Sequence, residues 1–121
     1  MSSSITQPSN GLFRGDIVAY RWALAAALMC FPLIWVGGLV TTHDAGMAVP
    51  DWPGTYGYNL FLYPISTWVS GPFDLLVEHG HRLLGALVGF LAIGLVATVW
   101  RTRMTNSTRW WSTLLLGSIC A

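Results

Sequence analysis

Three side chains that could do chemistry lie within about one helical turn, at the start of a long apolar stretch of the sequence. Glu78 and His81 are three positions apart, and Arg82 follows directly. With about 100° per residue, these three side chains fall on one face of a helix. The apolar stretch that follows is long enough for a membrane helix. A charge at mid-bilayer costs roughly 2.5 to 3.5 kcal/mol on insertion scales and less near the interface, so ionisable residues in a membrane helix indicate function.

An imidazole at the outer end of a membrane helix suits an axial ligand of haem iron, which makes His81 the candidate metal ligand. Glu78 is the candidate catalytic residue. It could orient the imidazole, pair with Arg82 at i,i+4, or hold and release protons, and the sequence leaves these alternatives open. Arg82 suits a haem propionate. Gly85 and Gly89 continue the same face and could admit a neighbouring helix or a flat ligand, so Gly85 joins His81 and Arg82 as a candidate cofactor-binding residue.

Other polar residues have weaker claims to a functional role. His79 points away from the shared face and is expected at the membrane interface, and His43 is expected to serve a loop. Asp51 stands between a proline and a tryptophan, where a carboxylate could cap a turn, bind an arginine or act directly in function. The sequence does not choose among these alternatives.

Membrane helices must position the chemical residues. The chain is 54% hydrophobic and 9% charged, whereas a soluble domain has roughly 25% charged residues. Residues 22–40 and 83–100 carry no charged side chain, and a run of about 19 residues at roughly 1.5 Å per residue matches a hydrocarbon core of about 30 Å. A third apolar run, 110–121, has only about 12 residues and is too short to span. No basic stripe exists to support binding to nucleic acid.

Arginines flank the first apolar run on its N-terminal side and follow the second, whereas the segment between the runs carries aspartates and no arginine before Arg82. By the positive-inside rule, the N-terminus is expected in the cytoplasm. The head has no arginine before Arg14 and is a poor mitochondrial transit peptide, so we expect a bacterial plasma membrane that the chain crosses several times. We expect a polar cytoplasmic tail at 1–16, transmembrane helices at 17–40 and 75–100, an extracytoplasmic loop at 41–74, a cytoplasmic loop at 101–109 and a truncated third transmembrane helix at 110–121. The extracytoplasmic loop is rich in aromatic residues and is expected on the outer surface as a lid or as short interfacial helices.

Three motifs, in this order and spacing, resemble the N-terminal portion of the haem A synthase family. They are Gly37-Gly38-Leu39-Val40-Thr41, Ala45-Gly46-Met47-Ala48-Val49-Pro50-Asp51-Trp52-Pro53 and Glu78-x-x-His81-Arg82-Leu83-x-Gly85. The resemblance covers nearly all of the chain after the polar head. It implies an all-α membrane protein, of which this chain supplies two full transmembrane helices and the start of a third, within one four-helix-bundle half of an eight-helix enzyme.

The resemblance also implies a function, which is oxidation of a methyl group of haem O to the formyl group of haem A for terminal oxidases. His81 then matches the histidine that binds the substrate haem, and Glu78 matches the family's functional glutamate. A haem b is expected in the missing C-terminal half, and the fragment alone is expected to be inactive. Haem O, membrane lipid, a haem O synthase and an electron acceptor are the implied partners.

The sequence departs from the resemblance at two positions. Many bacterial members have a cysteine pair around segment 50–53, and Val49 and Thr55 occupy the matching positions here.

Two alternatives remain open: a non-catalytic haem-binding or electron-transfer membrane protein, and a structural membrane subunit in which Glu78 and Arg82 form a pair.

Overall fold

The computed structural model describes residues 10–102 and 104–120, and the elements in them are helices. The four α-helices are α1 (Asn10–Thr42), α2 (Ile65–Val69), α3 (Phe73–Arg101) and α4 (Asn106–Cys120), and a 3-10 turn covers Ala45–Met47. Within the described residues, the strand-like pairing is a single isolated bridge between Thr55 and Tyr58. The expected all-α fold class is therefore confirmed.

Two helices, Arg14–Thr42 within α1 and Phe73–Arg101, are long and apolar enough to cross a membrane, judged by length and composition. Helix α1 already begins at Asn10, within the segment that we expected to be a tail. No proline interrupts the sequence between Pro8 and Pro32, so nothing prevents the helix from starting early. Residues 1–9 of the expected tail lie outside the described residues.

Contacts divide the chain into two compact units, and the first contains the described parts of Met1–Ala26 and Leu91–Ala121. Its core is formed by Ala19, Leu95 and Val99, with Trp22, Ala23 and Met104 packed against them. Gly94 permits this packing, because a Cβ built there would lie 2.9 Å from the Trp22 ring. Helix α4 starts after Thr105, whose hydroxyl accepts the Thr108 N–H at 3.4 Å in the manner of an N-cap.

The second unit, Ala27–Phe90, contains the segment between the long helices. Residues Thr55 to Tyr58 form a two-residue hairpin in which Tyr56 and Gly57 both have positive φ, 49° and 79°, as a type I′ turn requires. The Thr55 and Tyr58 backbones exchange two hydrogen bonds of 3.0 Å. A small core of Val49, Tyr63 and Leu75, with Trp68 against it, connects the segment to α3.

This segment is not confined to the N-terminal end of α3. The Phe61 ring lies 6.0 Å from the Phe90 ring, centroid to centroid, and Phe90 is about 25 Å along α3 from Phe73 at 1.5 Å per residue. The sequence at this point is apolar, so packing along the helix side removes aromatic surface from solvent. Part of this segment therefore runs along α3, and its role as a lid or as short interfacial helices at the membrane surface stays a prediction.

Candidate functional site

Glu78 is buried in α3, with 4% of its surface exposed. Its Oε2 accepts the backbone N–H of Val49 at 2.8 Å, and its Oε1 accepts from Nη2 of Arg82 at 2.6 Å. A buried carboxylate needs such partners, because an unpaired charge away from water is strongly destabilising. Of the three alternatives left open for Glu78, pairing with Arg82 is the one observed.

Arg82 uses its guanidinium to hold the backbone of segment 49–54. Nη1 donates to the carbonyl oxygens of Asp51 at 2.6 Å and Gly54 at 2.9 Å. Nη2 donates to the carbonyl oxygen of Val49 at 3.1 Å and to Glu78. Each Nη carries two hydrogens, so these bonds occupy both terminal nitrogens and leave the Nε–H. The expected propionate contact of Arg82 therefore competes with four hydrogen bonds inside the protein.

His81 turns toward α1 rather than toward these partners. A Cβ built on Gly37 would lie 3.0 Å from its Cε1, 3.5 Å from Nδ1 and 3.6 Å from Nε2. Nδ1 is buried and has no hydrogen-bond partner among the residues that the structure describes. A buried ring nitrogen without a partner is uncommon, and water, an ion or a ligand could satisfy it. This orphaned nitrogen, beside a glycine that leaves room for the ring, fits the expectation that His81 coordinates iron.

The two glycines that follow on α3 have different surroundings. A Cβ on Gly85 would lie 4.0 Å from Cδ1 of Leu33, which is ordinary contact with α1. A Cβ on Gly89 would meet nothing within 4 Å. Gly85 thus borders a neighbouring helix, and the space beside Gly89 is open among the described residues.

His79 is covered by the connecting segment, a burial that the sequence did not indicate, and its position at the membrane interface stays a prediction. His79 is 1% exposed, and Thr55, whose side chain is at hydrogen-bond distance from it, is 0% exposed. The Thr55 hydroxyl and the His79 Nδ1 are 3.0 Å apart. The Tyr63 and Trp68 rings lie 5.3 and 5.0 Å from the imidazole, between centroids. The many aromatic residues of the connecting segment indicate that its rings cover part of α3. The sequence does not indicate which residue of α3 they cover.

Asp51 caps the hairpin turn. Its carboxylate accepts the N–H groups of Tyr56 at 2.7 Å and Gly57 at 2.8 Å, and its backbone carbonyl, not its carboxylate, meets Arg82. The pKa of the Asp51 carboxyl is lowered, chiefly because the Gly57 N–H donates to it; partial desolvation opposes this effect, and the Tyr56 N–H adds to it. Of the alternatives for Asp51, turn capping is observed. His43 makes an edge contact with Phe73, with ring centroids 5.1 Å apart.

Replacing Gly37 with alanine should move the His81 imidazole, because the new Cβ would lie 3.0 Å from Cε1. We expect the affinity of the purified protein for added protohaem to fall about tenfold, as for other changes that misorient a ligand. Absorption titration in detergent measures this. Gly38→Ala is the matched control, since a Cβ at that position meets nothing within 4 Å. Equal titration curves for the two variants would show that Gly37 does not set the imidazole position.

Comparison with known proteins identifies relatives that act on haem. The family model described as cytochrome oxidase assembly protein matches residues 20–121. The chain is 30% identical over 92 residues to a protoheme IX farnesyltransferase of Halobacterium salinarum, which covers 76% of this chain and 18% of that protein. It is 26% identical over 115 residues to a heme A synthase of Hyphomonas neptunium, which covers 74% of this chain and 32% of that protein. No solved structure matches the chain significantly.

The chain spans less than a third of the length of these two curated relatives. The family match nevertheless covers most of this chain, and the heme A synthase match agrees with the resemblance of the three motifs. The two long apolar helices and the membrane association of the family indicate a membrane protein. The chain therefore belongs to the family of cytochrome oxidase assembly proteins that includes haem A synthase, as its motifs predicted.

Proposed function

We propose that the protein to which this chain contributes is a haem A synthase, which oxidises a methyl group of haem O to a formyl group. Family membership supports the haem chemistry, and the His81 imidazole is the observation that carries the assignment to this region of the chain. Its buried Nδ1 has no partner among the described residues, and Gly37 leaves room for the ring. His81 would coordinate the iron of the substrate haem.

With water as the oxygen source, conversion of a methyl to a formyl group adds one oxygen atom and releases four electrons and four protons. It therefore requires an electron acceptor outside this chain and groups that handle charge near the substrate. Glu78 lies one turn before His81, and its carboxylate is held by the Val49 N–H and by Arg82. We assign Glu78 the role of the catalytic carboxylate, which stabilises charge or moves protons as the methyl group is oxidised. Gly85 has no side chain and borders Leu33 of α1. We propose that it also allows the flat substrate to approach α3 closely.

The helix count and the haem b proposed here follow from the family resemblance, and the orientation follows from the placement of the arginines. The intact enzyme has eight membrane helices in two bundles, and the second bundle holds a haem b. The N-terminus is in the cytoplasm of a bacterium, and segment 41–74 is on the opposite side of the plasma membrane. A haem O synthase supplies the substrate. The 121 residues alone, which span less than a third of the length of these relatives, would not catalyse the conversion.

Coexpression with a haem O synthase in a bacterial host that makes no haem A tests this function. We expect the whole protein to produce haem A, identified by mass spectrometry of extracted haems, and the 121-residue chain to produce none. The alternative is a non-catalytic haem-binding or electron-transfer protein, which the same unpartnered imidazole would also serve. A whole protein that binds haem and leaves haem O unconverted would establish that alternative.

A further inference from the structure

We propose that Arg82 is a positioning residue that holds segment 49–54 against α3, and that Glu78 completes this attachment. We call the arrangement of Glu78, Arg82 and segment 49–54 the loop clasp. The inference deepens the proposed function and rests on it only where it concerns haem. Its core statement, that one guanidinium fixes the path of the segment beside the His81 site, concerns the protein alone.

Three backbone carbonyl oxygens of one short segment converge on the same guanidinium. Val49, Asp51 and Gly54 accept from Arg82 at 3.1, 2.6 and 2.9 Å. A segment can present three carbonyls to one point only if it curls around that point, so Arg82 defines the curvature of the segment. Buried or membrane-facing carbonyls without a donor are destabilising, which gives these bonds more weight than they would have in water.

Glu78 holds the same segment by a backbone N–H group, whereas Arg82 holds it by carbonyl oxygens. Its Oε2 accepts the Val49 N–H at 2.8 Å, so both polar backbone groups of Val49 are bound by one residue pair of α3. Glu78 also accepts from Arg82, which holds the guanidinium in the orientation that the carbonyls need. The pair at i,i+4 is thus attached to residues about thirty positions earlier in the chain.

Neighbouring contacts continue the attachment on both sides of the turn. Thr55, next after the segment, is within hydrogen-bond distance of His79. The carboxylate of Asp51 holds the hairpin through Tyr56 and Gly57. This set of acceptors requires an arginine, whose planar guanidinium donates from several nitrogens. A lysine side chain is shorter and donates from one nitrogen, so it cannot reach four separated oxygens.

Hydrogen exchange in the haem-free whole protein tests the loop clasp directly. We expect Arg82→Lys to speed exchange in the peptide that covers residues 45–57 by about tenfold or more, because the Val49 N–H and its neighbours lose their fixed geometry. Arg101→Lys is the matched control, with an exposed arginine at the far end of α3. Unchanged exchange at 45–57 in Arg82→Lys would overturn the proposal.

A second variant changes the segment and leaves Arg82 intact. A Cβ on Gly54 would lie 2.9 Å from the Tyr58 carbonyl oxygen and 3.0 Å from Oδ2 of Asp51, so Gly54→Ala should shift the carbonyl that Arg82 binds. We expect the same local rise in exchange, with helix content by circular dichroism unchanged. This variant decides the question if Arg82→Lys does not fold, and protection equal to the unsubstituted protein would contradict the clasp.

A ligand comparison separates positioning from propionate binding. Protohaem and protohaem dimethyl ester, which lacks the propionate charges, are titrated into the unsubstituted and Arg82→Lys proteins. Positioning predicts that the substitution weakens both probes by the same factor, and a propionate contact predicts that it weakens protohaem alone. Failure of the proposed function gives a different result. The affinity for either probe would then not depend on His81, while hydrogen exchange at residues 45–57 would still respond to the Arg82 substitution.

Discussion

Replacing His81 with leucine should abolish the coordination of the substrate haem. Leucine fills a similar volume beside Gly37 but has no nitrogen to offer the iron, and the contact with α1 remains apolar. Loss of groups that merely orient a metal ligand costs about 10 to 100-fold in affinity, so removal of the ligand itself should cost more than about 100-fold. The measurement is a titration of the whole protein with protohaem, followed by its absorption bands.

The control for this substitution is His43→Leu. It removes an imidazole that is exposed and makes one edge contact with Phe73, so the haem spectrum should not change. A His81→Leu protein with the spectrum and affinity of the unsubstituted protein would remove His81 from the site and leave the family's haem to be bound elsewhere.

Replacing Glu78 with glutamine should leave haem bound and stop its conversion. A side-chain amide can accept one of the two hydrogen bonds that Glu78 now accepts, but its NH2 group would face the other donor, either the Val49 N–H or Arg82. The negative charge that pairs with Arg82 is lost as well. We expect the rate of haem A formation to fall by about 100-fold or more, the range for loss of a group that handles protons or charge.

Thr55→Val distinguishes a direct role of Glu78 from a role through the connecting segment. It removes the hydrogen bond to His79 and leaves Glu78 and Arg82 untouched. If Glu78 acts on the substrate, Glu78→Gln stops conversion while Thr55→Val and Arg82→Lys only reduce it. Equal losses in all three variants would mean that Glu78 acts by positioning the segment, and continued haem A production by Glu78→Gln would exclude it from the mechanism.

Several features of the molecule were accessible from sequence because they depend on local physics. Long uncharged runs predict α1 and α3, since a helix in lipid must satisfy its backbone internally and cover it with apolar side chains. The spacing of Glu78 and Arg82 allowed the ion pair that is observed, one of three alternatives for Glu78, because side chains four apart on a helix are neighbours. The three motifs indicated the family that the comparisons confirmed.

Only the tertiary structure decided what the polar residues of α3 contact. The partners of Arg82 lie 28 to 33 positions earlier in the chain, in a segment whose path follows no helical or strand period. The same holds for the burial of His79 by Thr55 and for the meeting of His81 with Gly37. Hydrophobic periodicity sets which face of a helix is covered, but the choice of covering residue follows from backbone polar groups finding donors and acceptors after the chain has folded back.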